Sequence, residues 1–178
     1  MVDVGIRVLD EDAWSDYRDV RLAALREAPS AFVARVEDEA AQDESFWRAR
    51  MRRAHRIVAE RGGEPVGTAS VGLHDADPGT GEVFGLWTAP TVRGQHVARR
   101  LVSTARDHAA EDGLRLLYFW VVSDNAAAIG FASRFGFRPT AKRRPVRVPD
   151  GASEKDVDEV AMVLPLSSDP TQVASPLS

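Results

Sequence analysis

The chain has 178 residues, 44% of them hydrophobic, with a formal net charge of −4 and a pI near 5.6. That length suits one domain with a sizeable core, and the acidic balance gives no basic footprint for nucleic acid. There is no cysteine, which excludes disulfides, thiolate nucleophiles and cysteine metal sites together.

The first residues, Met1-Val2-Asp3-Val4-Gly5, have neither the basic nor the apolar stretch of a secretory leader. No apolar run approaches the roughly 20 residues that cross a bilayer. The expected protein is soluble, cytoplasmic and free of membrane contact. Ile6-Arg7-Val8-Leu9 reads as a short strand. Asp10 or Asp12 can cap the helix that follows. On that helix Trp14, Tyr17, Arg21, Ala24, Leu25 and Ala28 recur at three and four, and Pro29 stops it. Residues 30–43 read as an irregular segment with Phe32 and several acids. A second helix is expected from about Glu44 to Ala54. The basic stretch from Arg48 to Arg56 reads as a solvated face.

Arg56 to Glu60 and Pro65 to Leu73 form an expected hairpin about the turn Arg61-Gly62-Gly63-Glu64. After a polar loop, Glu82 to Thr88 reads as a strand and Val97 to Glu111 as a helix. Leu114 to Val122 is almost unbroken apolar sequence, the pattern of a fully buried strand, with Trp120 in the core. A helix from Asn125 to Phe135 closes at Gly136. Phe137 to Val148 and Val157 to Leu166 read as a final strand pair around the turn Pro149-Asp150-Gly151. Residues 1–166 read as one domain, and the Ser/Pro-rich residues 167–178 as a disordered tail. Mixed order of this kind means an α/β or α+β fold with a mixed sheet.

The segment from Leu86 to Leu101 carries the chemistry. A strand runs into the loop Arg93-Gly94-Gln95-His96, and the loop opens a helix with the apolar stripe Val97, Leu101, Val102, Ala105 and Ala109. The first N–H groups of a helix have no internal partner and carry partial positive charge, so a phosphate fits there. Arg93, Arg99 and Arg100 add cations, Gly94 permits close approach, and Ala98 keeps the helix start slim. There is no Gly-Lys-Ser/Thr ending of a nucleoside-triphosphate loop and no G-x-G-x-x-G fingerprint. Spacing alone leaves open an ordinary helix start with surface arginines.

A second segment, Asn125-Ala126-Ala127-Ala128-Ile129 through Gly136-Phe137, lies about 30 residues downstream. Together the two resemble the GNAT superfamily of acetyl-CoA-dependent N-acetyltransferases. Asn125, Ala128, Ile129, Gly136 and Phe137 fall in register with that family's pattern, and the element order over residues 6–166 is similar to its fold. The resemblance implies a mixed, mostly antiparallel sheet of about seven strands, flanked by about four helices, with the fourth and fifth strands splayed around the pantetheine arm. It implies that backbone groups of Leu86, Trp87 and Thr88 meet the arm, with Thr88 polarising the thioester carbonyl. The loop and helix start from Arg93 through Gly94, Gln95, His96, Val97 and Ala98 to Arg99 would hold the pyrophosphate. Asn125 would contact the arm, although a helix cap explains it equally.

Two positions depart from the family pattern. His96 stands where the loop has a glycine, and Ala132 where a tyrosine commonly protonates the departing thiolate. Two roles are open to Glu82: the base for the acceptor amine, or a solvated acid at a strand start. His74 and Asp75 are further base candidates. Phe32 is a candidate for the acceptor pocket, while Trp14 and Trp47 read as core. The acids Glu37, Asp38, Glu39, Asp43 and Glu44 either attract a cationic amine or form a solvated face. His55, His74, His96 and His108 lack ligand spacing, so no metal site is expected. The expected activity moves an acetyl group from acetyl-CoA to a small-molecule or peptide amine by direct attack. The alternative is a non-catalytic acyl-CoA-binding module. Homodimerisation is a further possibility that the resemblance raises.

Overall fold

A computed structural model describes residues 3–74, 77–146 and 157–166. Seven strands form one sheet: β1 (Val4–Leu9), β2 (His55–Arg61), β3 (Glu64–Leu73), β4 (Thr80–Thr88), β5 (Leu116–Val122), β6 (Arg138–Pro145) and β7 (Asp158–Pro165). Their spatial order is β1-β2-β3-β4-β5-β7-β6. Every neighbouring pair is antiparallel except β4 and β5, which run parallel. The expected two-residue turn joins β2 to β3, with Gly62 and Gly63 both at positive φ, as that turn requires.

Helices cover the two faces unequally. On one face α4 (Val97–Glu111) lays Val97, Leu101, Val102, Ala105 and Ala109 against Ile57, Ala69, Val83 and Leu117. The short helix α5 (Ala126–Phe135) completes that layer beside Phe137 and Met162. On the other face α1 (Trp14–Glu27) and α3 (Glu44–Arg53) pack Tyr17, Val20, Ala24 and Trp47 over Leu9, Val58 and Trp87. Trp47 is core as expected, while Trp14 packs at the margin of that cluster.

The helices number five among the described residues, one more than expected. The extra one is α2 (Val36–Ala40), inside the segment read as irregular. Five residues are too few to show a periodicity. Two things favour the turn: Glu37, Asp38 and Glu39 stand in its first turn, complementing the helix dipole, and Glu39 is clamped by arginines of α1 and α3.

Two burial expectations are corrected. β5 is not buried on both faces: Trp120 and Val122 are half-buried, and Trp120 lies outside both core clusters. The helices α1 and α3 cover β2 and β3 but stop short of β5. The basic stretch from Arg48 to Arg56 is not a solvated face throughout either, since Arg56 is only 4% exposed. The tail 167–178, Asp75 and the turn Pro149-Asp150-Gly151 lie outside the described residues.

Candidate active site

The parallel ladder between β4 and β5 is short. It runs from Thr80↔Leu116 to Val83↔Phe119 and stops. Beyond it β4 stays with β3, pairing Trp87 with Thr68 and Thr88 with Gly67, while β5 stays with β7 as far as Val122↔Glu159. The register on β3 slips between Thr68 and Ser70, where Gly85 adopts φ 63°. A bulge of this type bends the strand and increases its twist. The result is a gap whose β4 edge, from Phe84 to Thr88, has no strand partner on the β5 side.

The N-terminus of α4 stands at the mouth of this gap. Its first intrahelical bond is Arg100 N–H to the His96 carbonyl, so the N–H groups of Val97, Ala98 and Arg99 have no intrahelical acceptor. No side chain caps the helix. A pocket of about 720 Å³ lies in front of it. Seven predicted residues meet there: Thr88, Arg93, Gly94, His96, Val97, Ala98 and Arg99. Phe131 and Arg134, one turn apart on α5, form the facing wall and were missed from the sequence. Their i, i+3 spacing was the available signal. These features suit an extended ligand with a pyrophosphate: unpaired N–H groups, three flanking arginines and room for a long arm.

The other predicted cofactor residues do not line that pocket. Gln95 turns its amide to the Thr91 carbonyl. Leu86 is half-buried against the core, and Trp87 is buried with its Nε1–H donating to Glu27 at 2.8 Å. Asn125 caps α5 by accepting from the Ala128 N–H at 3.1 Å. Glu27, also missed, accepts from Arg93 at 3.1 Å as well. It therefore ties the loop arginine and the gap strand to α1.

His96 is the one non-glycine residue at positive φ among the described residues, at 60°. That conformation costs an L-residue about 1–2 kcal/mol. His96→Gly is therefore expected to raise stability by about 1 kcal/mol, read as a higher Tm. His96→Ala keeps the backbone strain and is expected to weaken CoA binding less than about tenfold, the scale of one ordinary hydrogen bond. Ala132, where the family pattern has tyrosine, is fully buried in the core beside Phe137.

Glu82 lies on the sheet face opposite α4, in the paired part of β4 just short of the gap. It lies inside β4, opposite Tyr118, not at the strand start, and its side chain is 21% exposed. Arg144 of β6 approaches it at 3.7 Å, binds Glu159 at 2.6 Å and stacks 4.2 Å from the Trp120 ring centroid. Trp120 Nε1 is buried without a hydrogen-bond partner among the described residues. His74 packs edge-on against Tyr118, set among the groups at the paired end of β4 and β5. Phe32 lies under the Arg21 guanidinium, 4.8 Å away. No helix is long and apolar enough to cross a membrane, and no cluster of metal-ligating side chains occurs among the described residues.

A mixed sheet parted between two parallel strands, with a cationic helix start at the gap, is the architecture that these residues build. The family profile described as "Acetyltransferase (GNAT) family" matches residues 10–137. The chain belongs to that family. Mycothiol acetyltransferase of Amycolatopsis mediterranei is 29% identical over 115 residues, covering 61% of this chain and 37% of that protein. IAA acetyltransferase of Azospirillum brasilense is 35% identical over 89 residues, covering 47% and 58%. The chain thus spans less than two thirds of either relative's length. Among solved structures, yncA of Salmonella typhimurium with its cofactor acetyl-CoA has a TM-score of 0.69 at 22% identity, covering 94% of this chain and 96% of that one. An N-acetyltransferase of Staphylococcus aureus has a TM-score of 0.69 at 20% identity, covering 93% and 99%.

Proposed function

We propose that the chain, as one domain over residues 1–166, transfers the acetyl group of acetyl-CoA to an amine by direct attack. The observation that carries this reading is the gap between β4 and β5, flanked by the unpaired N–H groups of Val97, Ala98 and Arg99. Acetyl-CoA supplies an activated acetyl thioester. Arg93, Arg99 and Arg134 balance the pyrophosphate charge, and the free edge of β4 up to Thr88 offers main-chain groups to the arm and carbonyl. Glu82 stands on the face from which an acceptor can enter. An alkyl ammonium near pKa 10.4 is only about 0.1% neutral at pH 7, so a base that removes its proton, directly or through water, is required. Arg144 orients that carboxylate from 3.7 Å.

With Ala132 buried, no α5 side chain at that position can protonate the departing thiolate. A free thiol has a pKa near 8.5, so the thiolate leaves unaided or takes its proton from solvent. The expected pH profile of kcat/KM therefore rises with pH and levels off, without the falling limb that an essential acid would add. Release of free thiol from acetyl-CoA in the presence of an amine panel tests the activity. Tight binding of acetyl-CoA with no thiol release from any amine would favour an acyl-CoA-binding module instead.

A further inference from the structure

On the acceptor face, three arginines crowd one small pocket beside the bulge of β4. Arg56 of β2, Ser70 of β3 and Phe84 of β4 form one row across the sheet: Arg56 pairs with Ser70, and Ser70 with Phe84. The Arg56 guanidinium lies against two aromatic rings, 4.6 Å from the Tyr17 centroid and 5.3 Å from that of Phe84. Its Nε and Nη2 donate to the Arg50 carbonyl and its Nη1 to Ser70 Oγ at 2.8 Å. Three of its five N–H groups are thus used, and no carboxylate bonds it among the described residues. Arg21 and Arg50 complete the wall of a pocket of about 80 Å³.

The charges there do not balance. Arg21 binds Glu39 through two bonds of 3.0 and 3.2 Å, and Arg50 approaches the same carboxylate at 2.9 Å. The one acid thus pairs with two of the three cations, and Arg56, the most buried of them, bonds to no carboxylate among the described residues. A buried charge without a partner is costly. The three hydrogen bonds of Arg56 also hold its guanidinium in place, as bidentate capture of a planar anion requires. Glu39, an acid that the sequence allowed as a lure for cationic amines, is consumed by this network.

We infer that the acceptor is a small amino acid whose carboxylate enters this pocket and pairs with Arg56 while its amine reaches Glu82. The inference rests on the acetyl-transfer reading and adds the acceptor's second group. Glu82 and Phe84 are two apart on one strand and share a face, and the Arg56 guanidinium lies over Phe84 at the edge of the gap. Positions two apart on one strand face are about 7 Å apart, which sets the scale between the two ends of a ligand that touches both. A peptide N-terminus has no carboxylate so near its amine.

The test compares the protein amino acids with their carboxamides as acceptors, by thiol release from acetyl-CoA. An amide has a less basic amine, so chemistry alone favours the amide. The expected result is the reverse: for the preferred side chain, the acid exceeds its amide by about tenfold or more in kcat/KM, the worth of a charge-assisted pair. Arg56→Lys is expected to abolish most of that preference, chiefly through KM, with acetyl-CoA affinity unchanged. The wild-type comparison stands even if that variant folds poorly. Amides used as well as acids would overturn the inference while leaving acetyl transfer intact. So would an acetyl-CoA-loaded protein that neither acetylates amino acids nor binds them in calorimetry. Failure to bind acetyl-CoA would remove both readings.

Discussion

Glu39→Gln is expected to cost the protein about 3 kcal/mol or more of stability, since removing one partner of a buried ion pair typically costs 3–5 kcal/mol. The substitution keeps the shape of the side chain and removes the single carboxylate set among Arg21, Arg50 and Arg56. Glu39 is 5% exposed, so the pair it makes is little screened by water, although the Arg21 and Arg50 side chains keep some solvent contact. It also closes α2 onto α1 and α3, and the loss is expected to loosen that layer first. Urea unfolding followed by circular dichroism measures the change. A loss below about 1 kcal/mol would place the network among ordinary surface ion pairs.

The same residue predicts a dependence on pH. Burial opposes ionisation of Glu39, but the hydrogen bond and charge of Arg21, followed by those of Arg50, outweigh it and hold its pKa below the ordinary carboxylate value. The folded state then binds fewer protons than the unfolded chain between the two pKa values, so stability rises with pH through that window. The contribution is fully present above the unfolded glutamate pKa of about 4.3. It is lost as pH falls through the lower folded-state value. In Glu39→Gln this part of the acid sensitivity should be missing.

Glu82→Gln is expected to lower kcat by about 10²–10⁴-fold, the usual worth of a positioned base, with acetyl-CoA affinity unchanged. The distinguishing readout is pH. Each unit of pH below the amine pKa raises the neutral amine tenfold without help from the protein, so the deficit of the variant should shrink toward pH 10. A deficit that stays constant with pH would assign Glu82 to holding Arg144 and Glu159 in place. A variant retaining a third or more of wild-type turnover would move the base elsewhere.

Local patterns made much of the fold legible. The stripe from Val97 to Ala109 defined α4, the Gly62-Gly63 turn fixed the β2–β3 hairpin, and Asn125 marked the start of α5. The loop from Arg93 to Arg99 could be placed at a helix N-terminus, and seven predicted residues do line one pocket. What escaped was set by contacts distant in sequence. Glu27 meets Trp87 and Arg93 across some 60 residues. Arg56 is written like its exposed neighbours Arg52 and Arg53, and its burial follows from the rings of Tyr17 and Phe84 and its bonds to the Arg50 carbonyl and Ser70. Trp120 sits in an apolar run that looks like a core strand, and its partial exposure follows from where α1 and α3 end. The bulge at Gly85 leaves one glycine as its trace, and a glycine in a strand has several explanations.

The outer strand β6 has a bearing on how these molecules meet one another. It reads Arg-Pro-Thr-Ala-Lys-Arg-Arg-Pro, and it is the last strand of the sheet. Four of its eight side chains are cationic, and a proline near each end withholds a backbone donor. A second copy docking there in register would set positive side chains against positive side chains along an incomplete ladder. That margin thus carries the features by which natural sheets resist end-to-end growth into fibres and precipitates. If two copies associate, the pairing is expected to use another surface.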